Sequence, residues 1–76
     1  MIDLAALRRL AGVTQVQLAD AIGSSQGQIS RLEHQEDMLL STLGAYLTAL
    51  GLDASVVVDV GGETVAYNLT SKRGNR

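Results

Sequence analysis

Gln15, Gln26 and Gln28 are the side chains whose type and spacing first suggest chemistry, with Ser25, Ser30 and Arg31 beside them. A primary amide offers a donor and an acceptor together, so a glutamine can pair at two points with adenine or bridge a phosphate and a neighbouring amide. Serine hydroxyls can donate to phosphate oxygens, and an arginine can meet a phosphate or the O6 and N7 acceptors of guanine. Residues 21 to 32 contain no acidic residue, so nothing in this stretch repels a polyanion.

Each residue also has a plainer use. Gln28 stands three residues after Ser25 and can complete a capping box with it. Arg31 can pair on the surface with Glu33 or Asp20, and Ser30 can be packing filler. Arg8 and Arg9 read more simply as solvated charges on a helix face than as phosphate ligands. Catalysis has less to work with. His34 is the single histidine, and without a cysteine or a second histidine it lacks the partners of a zinc site, so it reads as a loop residue. No serine is arranged with it as a nucleophile. Gly61-Gly62 lacks the Lys-Ser/Thr of a phosphate loop and reads as a turn. The expectation is no enzyme, no metal and no cofactor.

The elements that must position these residues are punctuated by Gly, Ser and Thr, since the chain has no proline. Leu4, Leu7, Leu10 and Ala11 form an apolar helical stripe that ends at Gly12, with Arg8 and Arg9 off it. Thr14 and Gln17 have the spacing of a capping box, and Val13 and Leu18 that of a hydrophobic staple. The helix they open buries Leu18, Ala19 and Ile22 and stops at Gly23. Ser25 opens a third helix with Ile29 and Leu32 inward. Residues 34 to 40 connect to a fourth helix, capped by Ser41, in which Leu43, Tyr46, Leu47 and Leu50 share a face, and Gly51 closes it.

Beyond Asp53 the period changes from 3.6 to 2. Two runs, 56–60 and 63–69, flank Gly61-Gly62 as a β-hairpin whose register pairs Val60 with Glu63, Val58 with Val65 and Val56 with Tyr67 on one face. Asp59 meets Thr64 and Val57 meets Ala66 on the other. An isolated hairpin is marginal in water. Val56, Val58, Val65 and Tyr67 must therefore cap the fourth helix or meet their copies on a second chain. Residues 71–76 carry no apolar anchor and read as a flexible tail. The division is thus residues 1–52 as a helical domain, 53–70 as the hairpin and 71–76 as the tail.

The run Thr14-Gln15-x-x-Leu18-Ala19-x-x-x-Gly23-x-Ser25-x-x-x-Ile29-Ser30-x-x-Glu33 resembles the Cro/C1-type (XRE) helix-turn-helix family, matching its order and spacing without a gap. Glu33-His34-x-Glu36-Asp37 and Leu40-Ser41-Thr42-Leu43-x-x-Tyr46-x-x-Ala49-Leu50-Gly51 are similar to its HigA-like antitoxin branch. The resemblance implies a mainly α fold, a four- to five-helix lambda-repressor-like domain with the hairpin appended at its C-terminus. It also implies that Gln15 meets the phosphate backbone and braces Gln26, which reads base edges, with Gln28 as second reader. Gly27 removes a side chain that many relatives use there.

Composition sets the remaining bounds. A chain of 76 residues buries only about 60% of the surface its unfolded form exposes. With no cysteine for a disulfide, oligomerisation becomes the expected remedy. No apolar run approaches the roughly 20 residues that span a bilayer, so no membrane partner is expected. Asp3 precedes any basic residue and no apolar h-region follows, so the N-terminus does not read as a signal peptide, and a cytoplasmic protein is the simplest account. The net charge of −2 is low for a phosphate-binding chain and predicts modest non-specific affinity.

The expected function is a transcriptional repressor binding a palindromic operator in double-stranded DNA as a homodimer, with the antitoxin of a type II toxin–antitoxin pair implied by the resemblance. A cognate toxin is then a second partner. Two alternatives stand beside it: a phage- or plasmid-type repressor without a toxin, and a module that only sequesters another protein. A protein-binding groove favours aromatic or aliphatic anchors, which the polar opening of the third helix lacks.

Overall fold

The computed structural model describes residues 2–71. Asp3 opens α1 (Leu4–Leu10) by accepting the Ala6 N–H on Oδ1 at 3.0 Å. Apolar spacing alone did not mark that cap. Thr14 opens α2 (Gln15–Ile22) through the expected reciprocal box: Gln17 N–H donates to Thr14 Oγ1 at 3.1 Å and Thr14 N–H to Gln17 Oε1 at 2.9 Å. Val13 packs half-buried against the core that contains Leu18, as a hydrophobic staple requires.

α2 ends at Gly23, where φ is +80° and Ser24 N–H returns to the Ala19 carbonyl at 2.8 Å. Such a closure needs a residue in the left-handed region, which costs L-amino acids about 1–2 kcal/mol and the achiral glycine almost nothing. Gly12 and Gly51 close α1 and the fourth helix by the same pattern, with Val13 N–H reaching Arg8 O and Leu52 N–H reaching Leu47 O.

α3 (Gln26–Glu33) has only half of the box read from its sequence. Gln28 N–H donates to Ser25 Oγ at 3.2 Å, but the Gln28 side chain bonds to Ser24 instead of returning to Ser25. α4 (Leu40–Ala49) begins one residue ahead of the expected cap: Leu39 occupies that position without a side-chain bond, and Ser41 lies inside the helix. Packing explains this. Tyr46, Leu47 and Leu50 anchor α4 in the core, so its start does not depend on a capping side chain.

The core gathers Leu4, Leu18, Ala19, Ile29, Tyr46, Leu47 and Leu50, one contribution or more from each helix. Leu7, Ala11, Leu32 and Leu43 pack half-buried against it, whereas two residues assigned to buried faces are exposed. Leu10 is 85% exposed because α1 turns Arg8 inward in its place, and Ile22, at the last turn of α2, is 38% exposed on the rim of a groove beside Ile29 and Leu32.

β1 (Ser55–Val60) and β2 (Glu63–Asn68) pair antiparallel in the expected register, extended by Ser55 opposite Asn68. Both turn glycines have positive φ, +56° and +93°, as a tight two-residue connection requires. The hairpin stands clear of the helices. Val56 is half-buried, whereas Val58, Val65 and Tyr67 are exposed, so within one chain the apolar face does not cap α4. Only its base is fastened. Leu69 N–H donates to Ala54 O at 2.9 Å, and Gly44 of α4 is so close to the Leu69 carbonyl that a Cβ there would lie 2.2 Å from its oxygen. Ser71, grouped with the tail in sequence, donates its N–H to Thr48 Oγ1 at 3.2 Å. The rest of that tail, residues 72–76, lies outside the described residues.

Candidate nucleic-acid interface

Arg8 and Glu33 are charged residues at positions that continue apolar faces, Arg8 one turn beyond Leu4 and Glu33 one turn beyond Ile29. Folding brings them together. Arg8 Nε donates to Glu33 Oε2 at 2.7 Å and Nη2 to Oε1 at 3.3 Å, while Nη1 caps the Val13 carbonyl at 3.0 Å. The side chains are only 10% and 3% exposed. Arg8 is therefore neither the solvated charge nor the phosphate ligand that its sequence position suggested, and Glu33 pairs with it and not with Arg31. Opposite charges one turn past buried anchors on two helices were the available signal; their 25-residue separation hid the pairing.

Tyr46, fully buried, adds its hydroxyl. The proton is directed to Glu33 Oε2 at 2.6 Å, with the Leu4 carbonyl a second acceptor at 3.1 Å. Burial opposes the Glu33 charge, but donors from Arg8, Tyr46 and Gln15 outweigh it and hold the carboxyl below its usual range. The same contacts push the Arg8 guanidinium up, the hydrogen bond to Glu33 being the main cause. Burial first, and the adjacent carboxylate second, push the Tyr46 phenol up.

This buried charge cluster reaches the surface through glutamines. Gln15, half-buried at the head of α2, donates Nε2 to Glu33 Oε1 at 3.0 Å. Gln26, exposed at the head of α3, donates its own Nε2 to Gln15 Oε1 at 3.2 Å. The two residues expected to act together are thus bonded to each other. Gln28 is exposed and accepts from the Ser24 hydroxyl on Oε1, which leaves its amide N–H groups free of that contact. Ser25 is exposed and spends Oγ on its capping bond. Ser30 is half-buried, and its carbonyl accepts from Nδ1 of the exposed His34 at 2.7 Å. Arg31 is exposed and, with Gln28, borders an open groove of about 290 Å³ between α3 and α4. Gly27 has nothing within 4 Å of where a Cβ would stand.

The N-terminal amides of α2 and α3, the bonded glutamines and the exposed Arg31 form a surface suited to a polyanion that carries amide-readable edges. Among the described residues, no group of three or more His, Cys, Asp and Glu is placed to hold a metal ion, and no helix is long and apolar enough to cross a membrane.

Two helices of eight residues joined through Gly23, Ser24 and Ser25 define a helix-turn-helix protein. The chain belongs to the helix-turn-helix family, whose sequence profile matches residues 4–57. Among solved structures, the DNA-bound antitoxin HigA3 is 34% identical, with a TM-score of 0.81 over 88% of this chain and 90% of that one. A HigA antitoxin, described with induced DNA bending by unique dimerization, is 34% identical, with a TM-score of 0.77 over 88% and 93%. No curated protein sequence matches.

Proposed function

We propose that the chain is a sequence-specific, cytoplasmic DNA-binding repressor that acts as a homodimer on a palindromic operator and serves as the antitoxin of a type II toxin–antitoxin pair. The observation that carries the DNA reading is the Gln15–Gln26 pair. It stands at the two helix starts of a helix-turn-helix, is bonded at 3.2 Å, and has Gln26 exposed. In such a unit the second helix enters the major groove and its first residues meet base edges. The likeness to HigA antitoxins supports the operator and toxin parts.

Dimerisation is assigned to Val56, Val58, Val65 and Tyr67, because the hairpin leaves that face largely uncovered within one chain. Two recognition helices then meet half-sites about 34 Å apart. The test is a gel shift on duplex DNA from upstream of the chain's own gene. Wild type is expected to form a discrete complex, and Gln26→Ala with Gln28→Ala to abolish it. Undiminished binding by that double variant defeats the base-reading assignment. Rescue of growth when the chain is co-expressed with the protein encoded beside it tests the antitoxin part.

A further inference from the structure

Glu33 lies behind the proposed reading edge, its side chain only 3% exposed. An ionised carboxylate accepts hydrogen bonds and donates none. The Gln15 atom that faces it must therefore be the amide nitrogen, as found at 3.0 Å. That turns Gln15 Oε1 toward Gln26. A carbonyl oxygen also only accepts, so Gln26 must offer Nε2, as found at 3.2 Å. A reversed amide at either glutamine sets two acceptors or two donors face to face.

We propose that Glu33 is a positioning residue for base recognition: acting through Gln15, it fixes which way round the Gln26 amide meets the groove and so selects adenine. The inference deepens the DNA-binding reading and rests on it. With one N–H of Gln26 held by Gln15, its other N–H and Oε1 remain to pair with adenine N7 and N6. Reversal exchanges donor and acceptor along that edge. An amide N–H then opposes the adenine amino group, and a base with a carbonyl there, guanine O6 or thymine O4, becomes the better partner.

Glu33→Gln is the informative change. Arg8 Nε at 2.7 Å and the Tyr46 hydroxyl at 2.6 Å both donate to the Oε2 position, against one longer Arg8 contact, Nη2 to Oε1 at 3.3 Å, so the two shorter bonds claim the oxygen of the new amide and turn its nitrogen toward Gln15. Gln15 must then present its oxygen inward and its nitrogen outward, and the Gln26 amide reverses. No group that faces the DNA has been substituted.

The whole chain is used to select from a pool of random-sequence duplexes, and bound DNA is sequenced; Gln26→Ala identifies the position that Gln26 reads. Wild type is expected to prefer adenine there by about tenfold or more, the discrimination of one bidentate pair. Glu33→Gln is expected to lose that preference and shift toward guanine or thymine. Gln15→Met, which leaves the Arg8–Glu33 pair intact, is expected to lose it too, and it carries the test if circular dichroism shows Glu33→Gln unfolded. Gln15→Glu combined with Glu33→Gln restores a donor–acceptor order that leaves Gln26 donating, so adenine preference returns even as overall affinity falls. A merely structural Glu33 gives weaker binding with the base order unchanged.

Adenine preference undiminished in Gln15→Met or in a folded Glu33→Gln overturns the relay, as does a Gln26→Ala variant that alters no position. If wild type enriches no sequence at all, the DNA-binding reading itself fails, and the relay with it.

Discussion

Glu33 accepts from four donor atoms on three side chains, so its removal should be felt beyond its own contacts. Glu33→Leu leaves the Arg8 guanidinium buried without a counter-charge, a loss of about 3–5 kcal/mol. That is comparable with the entire stability a core of this size supplies. Adding Arg8→Met should recover most of it, because removing both charges removes the uncompensated one. Urea denaturation of the two variants checks the pair, and equal losses would contradict the argument. Tyr46→Phe keeps the ring but leaves an acceptor short of its donor, costing about 1–3 kcal/mol by the same measurement. The pH dependence has a definite sign. Glu33 titrates lower in the folded chain than at its ordinary 4.5, so its contribution is complete above that value and is lost as pH falls below it. Acid titration followed by circular dichroism should show a shallower decline in Glu33→Gln than in wild type.

Helix starts vary in how they are specified, and stability should vary with them. Thr14→Ala removes the acceptor of the reciprocal box on α2 and should cost about 1 kcal/mol. Leu39→Ser introduces a hydroxyl at the one cap with no side-chain bond and should raise the thermal midpoint, gaining about 1 kcal/mol. The contrast explains what the sequence disclosed at this level. Thr14 and Gln17 form a local signal within one turn, and β1 and β2 are registered by a two-residue loop, so the cap and the register were both readable, with the strand ends differing by one residue. The start of α4 and the side of α1 that turns inward depend on what packs against them. Leu10 looked like a core residue because it stands three residues after Leu7, beside Ala11, on the apolar stripe. Arg8 takes the inward position because Glu33 meets it from another helix, and periodicity carries no information about such a partner. The same limit hid the bond from Gln15 to Glu33, although both glutamines of the reading edge were recognisable from their place after Thr14 and Ser25.

At the scale of the whole molecule, Arg8 is spent internally, which leaves Arg9 and Arg31 as the exposed cations among the described residues. If Arg31 meets a phosphate in each half-site, Arg31→Ala should reduce the steepness of the salt dependence of dimer binding by about 2 in the logarithmic slope. Fluorescence anisotropy over a salt series reads this directly, and an unchanged slope places Arg31 away from phosphate. Val58→Asp with Val65→Asp puts like charges on the exposed face of the hairpin while sparing the helical core, so the chain should sediment as a folded monomer. Gly44 fixes how closely the foot of the hairpin approaches α4. The hairpin stands on α4 at the one point where a methyl group would collide with the Leu69 carbonyl. If two copies mate through the hairpin as proposed, the angle it takes there is carried to the pair of recognition helices. Gly44→Ala should therefore change the number of base pairs tolerated between half-sites, making a single hydrogen at the foot of the hairpin the gauge that sets operator length.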